Sequence, residues 1–231
     1  MQTEFPHVSN TQVDEVGASK SVVDKDTSSV ALKLPRHLEC PVDNVFLDVT
    51  KLTMPFLRAT HHTPNMITTY ALFSTIASLY FLNKYDIKKF LVLFNLGYLF
   101  DCMDGYYARK YKMSSKYGDL YEHARDNLGS IATIGFVYKL YKPIPLWSWI
   151  TLGGLIYGNA LHIGVQQKYL LETGVKRDMT ESIDKLIHLV PKKAKASKLA
   201  RYTRWFGPGT SVIGSTLLLA FLHYKKRGSL N

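Results

Sequence analysis

Cysteine is nearly missing from these 231 residues. Cys40 and Cys102 stand alone without metal-ligand spacing, which excludes a disulfide-framed secreted scaffold and a zinc site. Acidic residues are scarce too, 18 Asp and Glu against 29 Lys and Arg, giving a formal charge of +11. The shortage is uneven: residues 1–39 carry net −2, so the remainder carries +13. The first thirty residues contain no apolar run of signal-peptide length. A mean hydropathy of −0.06 looks ordinary for a soluble domain, but it averages two populations, because the basic excess lies in the same part of the chain as the long apolar runs.

Three stretches, 65–83, 143–167 and 205–222, carry no formal charge and are long enough to cross ~30 Å of hydrocarbon as helices. Two shorter apolar runs, 90–100 and 128–138, reach helix length by taking in the polar segment between them. The expected fold is all-α, a polytopic membrane bundle of five to six helices, with spans near 65–83, 88–109, 118–140, 144–168 and 205–224. Five spans place fifteen Lys and Arg on the side of the N-terminus and eight on the other, so the N-terminus and the connection after Asp104 are expected to face the cytoplasm. Residues 1–39 read as a disordered polar tail. Residues 40–62 read as an amphipathic interfacial helix, since Val42, Val45, Phe46, Val49, Leu52 and Phe56 recur every three or four positions. The span domain then covers 63–225, with a second amphipathic segment at 180–191 and a basic tail at 226–231. The basic stretch 192–204 lacks the interleaved aromatics of a single-strand RNA binder and reads as a solvated cytoplasmic loop near anionic headgroups, with no nucleic-acid partner. Gly153, Gly154 and Gly158 include a Gly-x-x-x-Gly step suited to packing within the bundle or in a homodimer.

The informative segment is Asp101-Cys-Met-Asp104-Gly-Tyr-Tyr-Ala-Arg109, followed by Gly118-Asp-Leu-Tyr-Glu122-His-Ala-Arg-Asp126. On helices, Asp101, Asp104, Gly105 and Ala108 form one stripe, and Gly118, Glu122 and Asp126 form another. The short link predicts antiparallel neighbours whose acidic stripes face each other. Carboxylates in a span cost several kcal/mol unless paired or hydrated, so they mark function. Four facing acids call for divalent cations. An all-oxygen donor set favours Mg²⁺ or Mn²⁺, and two ions would bridge a phosphate. The small residues permit close approach of a bulky ligand, and Arg109 suits a diphosphate.

This segment resembles the signature of the CDP-alcohol phosphotransferase family, D-x-x-D-G-x-x-A-R-x8-G-x3-D-x3-D. Asp101, Asp104, Gly105, Ala108, Arg109, Gly118 and Asp126 fall in register, Glu122 replaces the third aspartate, and Thr63-Pro64-Asn65 is similar to the family's Pro-Asn. The resemblance implies that Asp101, Asp104 and Glu122 are metal ligands and that Asp126 is a ligand or the catalytic base. It further implies that Arg109 holds the diphosphate, that Gly105, Ala108 and Gly118 line the cytidine pocket, and that Asn65 belongs to the same substrate-binding set. The activity implied is transfer of a substituted phosphate from a CDP-linked donor to an alcohol, releasing CMP.

His123, after the third acidic position, is similar to the Asp-His of choline and ethanolamine phosphotransferases, which implies CDP-choline or CDP-ethanolamine as donor and diacylglycerol as acceptor. The alternative takes CDP-diacylglycerol and a small polar alcohol such as inositol or glycerol 3-phosphate. Readings of other classes are a cation transporter or channel lined by the acids, and an inactive lipid-binding relative. In a eukaryotic cell the expected location is the endoplasmic reticulum or Golgi membrane.

Overall fold

The computed structural model describes residues 32, 34–174 and 185–228, and every regular element among them is helical. Helix α1 (Pro41–Ala59) is followed by four long helices, α2 (Pro64–Asn83), α3 (Ile87–Lys110), α4 (Lys116–Tyr141) and α5 (Leu146–Glu172). A 3₁₀ turn (Lys185–Leu189), the short α6 (Ala196–Thr203), a second 3₁₀ turn (Arg204–Phe206) and α7 (Pro208–Gly228) follow. Two helical stretches, Pro64–Asn83 and Ala196–Gly228, are long and apolar enough by themselves to cross a membrane.

Local chemistry sets the helix starts. Thr63 accepts from the Met66 N–H at 3.3 Å with Pro64 in the first turn, Asp86 accepts from Lys89 N at 3.2 Å, and Ser115 accepts from Gly118 N at 3.1 Å. The Lys89 ammonium, 3.0 Å away, holds the Asp86 carboxyl below the usual carboxylate range.

Helix α2 is the hub. Its small residues Ala71, Ser74 and Thr75 face Gly97 of α3, where an added Cβ would lie 3.3 Å from Thr75 Oγ1 and 3.4 Å from the Ala71 carbonyl. On another side Thr75 meets Gly129 of α4. Helices α3 and α4 therefore both lie against α2 and make almost no backbone approach to each other. Their acidic stripes face each other as expected, although the backbones stay apart because the small stripe on α2 takes both helices, and a cleft is left between their polar ends. At the other end of α2, Leu79, Leu82, Ile87, Phe90, Leu140, Tyr141, Leu219 and Leu222 form a buried cluster that ties α2, α3, α4 and α7 together.

Helix α1 points an apolar stripe outward: Val45, Val49, Leu52 and Phe56 are exposed, Leu52 by 81 %. Its inner side buries Asp43, which accepts from the Tyr98 hydroxyl at 2.5 Å while burial pushes its carboxyl up. The long helices also carry outward apolar residues, among them Phe73, Ile131, Ile150, Ile156 and Leu217.

Three boundaries differ from expectation. The polar tail was expected to run to residue 39, but Leu34 and Leu38 are buried against Val165, Val190, Ala196 and Ala200, so the fold begins earlier; residues 1–31 and 33 lie outside the described residues. Of the amphipathic segment 180–191, residues 185–189 form only a 3₁₀ turn ahead of Pro191, and 180–184 lie outside the described residues. The stretch read as a solvated basic loop holds α6, because Ala196, Ala200 and Thr203 recur at helical spacing and are buried while the bases point away.

Candidate active site

The cleft between α3 and α4 is lined from both sides by acids. One carboxylate oxygen each from Asp101 on α3 and from Glu122 and Asp126 on α4 lie within 4.8 Å of one another. Each pair of like charges at that separation repels by about 3 kcal/mol at an effective dielectric constant near 20. Arg125, 5 % exposed at its side chain, offsets part of this: its guanidinium pairs with both Asp101 and Asp126 across the cleft.

Asp104, one turn beyond Asp101, does not join the three at the cleft surface. It is 2 % exposed, its Oδ2 accepts from Thr68 Oγ1 of α2 at 2.7 Å, and its Oδ1 is buried with no hydrogen-bond partner among the described residues. Four facing carboxylates were expected; three converge and the fourth sits beneath, because α3 turns this side chain toward α2. Thr68 is a site neighbour that motif spacing did not single out, although it lies three residues after Asn65 on the same helical face.

The remaining expected residues fall in two groups. The Arg109 guanidinium folds back over Gly105, where an added Cβ would lie 3.1 Å from Nη1. Ala108 is half-buried on the same helix. At the start of α4 an added Cβ on Gly118 would lie 3.1 Å from Asn65 Oδ1, so these two residues from different helices touch, and next to them Thr69 Oγ1 and Tyr121 Oη are 3.2 Å apart. The His123 Nδ1 lies 2.8 Å from the Asp119 carbonyl oxygen on its own helix.

A sequence model of CDP-alcohol phosphatidyltransferases matches residues 61–189. The chain belongs to the CDP-alcohol phosphatidyltransferase family. The matched region takes in α2 to α5, and so both walls of the cleft. Neither the curated proteins nor the solved structures contain a significant match. Membership assigns phosphotransfer in phospholipid synthesis, with a CDP-alcohol donor and an alcohol acceptor.

Family members use divalent cations, and the residues present fit one. The donor set is all carboxylate oxygen, as hard cations prefer, negative charge exceeds what Arg125 alone offsets, and the orphaned Asp104 Oδ1 lacks the positive or N–H partner that a buried carboxylate oxygen requires.

Proposed function

We propose that the chain is a membrane-embedded CDP-alcohol phosphotransferase that moves phosphocholine or phosphoethanolamine from its CDP-linked donor to diacylglycerol, with Mg²⁺ or Mn²⁺ as cofactor. The convergence of Asp101, Glu122 and Asp126 across a cleft walled by the family's matched region carries this reading.

Asp101, Asp104, Glu122 and Asp126 would hold the ions, which would supply positive charge for a diphosphate. Arg109 adds a planar guanidinium for the diphosphate and lies over Gly105 of the same motif. Gly105, Ala108 and Gly118 leave room for the cytidine, with Asn65 beside Gly118 offering an amide to a nucleotide edge. Asp126, 54 % exposed at its side chain, is placed to accept the proton of the attacking alcohol oxygen as that oxygen bonds to phosphorus and the bond from phosphorus to the CMP oxygen breaks. Arg125 keeps the Asp101 and Asp126 carboxylates aligned across the gap.

The outward apolar faces of the long helices suit five spans in a domain covering 63–225, and the exposed stripe of α1 suits the interface. The charge asymmetry of the connections puts the N-terminus and the cleft on the cytoplasmic side, at the endoplasmic reticulum or Golgi if the cell is eukaryotic. A homodimer is compatible with Gly153 and Gly154, beside which space is open, whereas Gly158 packs on Phe206 inside the protomer.

One observation favours the second reading, CDP-diacylglycerol with inositol or glycerol 3-phosphate: the Nδ1 of His123, the residue similar to the aminoalcohol enzymes, is engaged by the Asp119 carbonyl of its own helix. A single assay decides. Detergent-purified protein is incubated with Mg²⁺ or Mn²⁺ and CDP-choline, CDP-ethanolamine or CDP-diacylglycerol, each with its acceptor, and CMP is measured. The expected outcome is CMP release with an aminoalcohol donor that chelation by EDTA stops and Mg²⁺ or Mn²⁺ restores. Release with CDP-diacylglycerol alone establishes the second reading, and silence with every pair favours an inactive lipid-binding relative or a cation pathway.

A further inference from the structure

At the end of the bundle remote from the carboxylates, a cavity of about 100 Å³ is lined by Tyr85, Tyr141, His223, Lys226 and Arg227. Thr68 marks the catalytic end of α2 and Tyr85 follows its opposite end, which at 1.5 Å per residue sets the two sites roughly 25 Å apart. The family model ends before one of the elements that build this cavity, α7: His223, Lys226 and Arg227 all lie beyond residue 189.

The lining has one chemical bias. Among the described residues it contains two cationic side chains, two phenols and an imidazole, and no acid. The acid next in sequence, Asp86, is engaged by Lys89 at 3.0 Å. Lys226 Nζ donates to the Leu140 carbonyl at 2.5 Å and lies 5.9 Å from the Tyr141 ring centroid, so its charge is fixed at the wall.

Hydrogen counting sharpens the bias. Tyr141 Oη and His223 Nδ1 are 2.9 Å apart, and the two residues are 5 % and 2 % exposed. A neutral imidazole and a phenol carry one polar hydrogen each, and the bond between them uses one. If the phenol donates, the hydrogen left over is on His223 Nε2, which is buried without a partner among the described residues. If Nδ1 donates, the phenol O–H is left over. Either tautomer leaves a buried donor that needs an acceptor, beside two positive charges.

We propose that this cavity binds a phosphate oxyanion, through the spare Tyr141–His223 hydrogen and the charges of Lys226 and Arg227. The volume accommodates one phosphate-sized group or several waters. The oxyanion is the head of an anionic lipid or a soluble phosphate. Aromatic and basic side chains at the end of apolar helices are the composition of a headgroup layer.

The test uses the detergent-purified full chain titrated with short-chain phosphatidic acid and, separately, with inorganic phosphate, with binding followed by native mass spectrometry. One saturable phosphatidic acid site is expected. Lys226→Met combined with Arg227→Gln weakens it by about tenfold or more. His223→Phe, which keeps a ring and removes the nitrogens, weakens it several-fold. Lys225→Gln, a base on the same turn that does not line the cavity, leaves it unchanged. Binding of phosphatidic acid without inorganic phosphate assigns the lipid source, and equal binding of both assigns a soluble phosphate. Absence of saturable binding by either ligand overturns the proposal, as does equal loss in Lys225→Gln or full retention in both cavity variants.

Discussion

The protein buries polar groups in two places and treats them in opposite ways. Between α5, α6 and the segment before α1, Gln166 Nε2 donates to Glu39 Oε1 at 3.1 Å, His162 Nδ1 lies 3.0 Å from Thr203 Oγ1, and the Cys40 N–H donates to the same Glu39 oxygen at 3.1 Å. Nearby, Lys168 Nζ gathers the carbonyls of Pro191, Lys192 and Ala194 at 2.9, 3.0 and 2.6 Å, and Arg204 reaches the His37 carbonyl at 2.5 Å. There the hydrogen bonds staple distant parts of the chain, with Gln167 Oε1 and Arg204 Nε left over among the described residues. In the cleft between α3 and α4, acids outnumber their local counter-charge, and a buried Asp104 oxygen has no partner among the described residues. A polar cluster of mixed donors and acceptors ties segments together, whereas one of like charges leaves charge for a cationic ligand to balance.

Substitutions that separate activity from stability test this contrast. The largest effect belongs to Asp126→Asn, expected to lower CMP release by about 10²–10⁴-fold while the melting temperature in detergent stays near that of the parent chain, because Arg125 keeps Asp101 as its partner. Retained turnover would remove Asp126 from the proton-accepting role. His162→Ala is expected to do the reverse. It strands Thr203 and Gln166 in a region where His162 is 0 % exposed, costing about 3 kcal/mol of stability, or roughly a 10 °C lower melting temperature, with CMP release per folded molecule unchanged. A fall in turnover without a fall in melting temperature would show that the staple reaches the site. The smallest effect is that of Thr68→Val, which removes the bond to Asp104 at 2.7 Å. About 1 kcal/mol of lost alignment corresponds to roughly fivefold slower release, and an unchanged rate would make Thr68 a packing residue only.

The carboxylate spacing was legible before any coordinates, because residues three and four apart share a helical face whatever surrounds the helix. Asp101, Glu122 and Asp126 accordingly meet, and the all-helical class followed from the uncharged runs. What periodicity does not contain is the partner each face chooses. Asp104 turns to Thr68, and α3 and α4 each prefer the small stripe of α2 to one another, since these depend on contacts between residues distant in sequence. The fold of 34–39 was hidden for a related reason: Leu34 and Leu38 are too few to show a period, and their burial is decided by α5 and α6 more than a hundred residues away. Helix α6 was masked by its bases, which outweigh the three small buried positions in any reading by charge.

The ion pairs of Arg125 also bear on how the chain comes to be made. Nascent carboxylates entering a bilayer repel one another before any cation can reach them, and helices carrying them resist assembly. An arginine carried next to Asp126 on the same helix arrives together with the acids, so α4 reaches α3 with its own counter-charge in place. Part of the repulsion between the two walls is thereby offset by the chain itself when the helices meet.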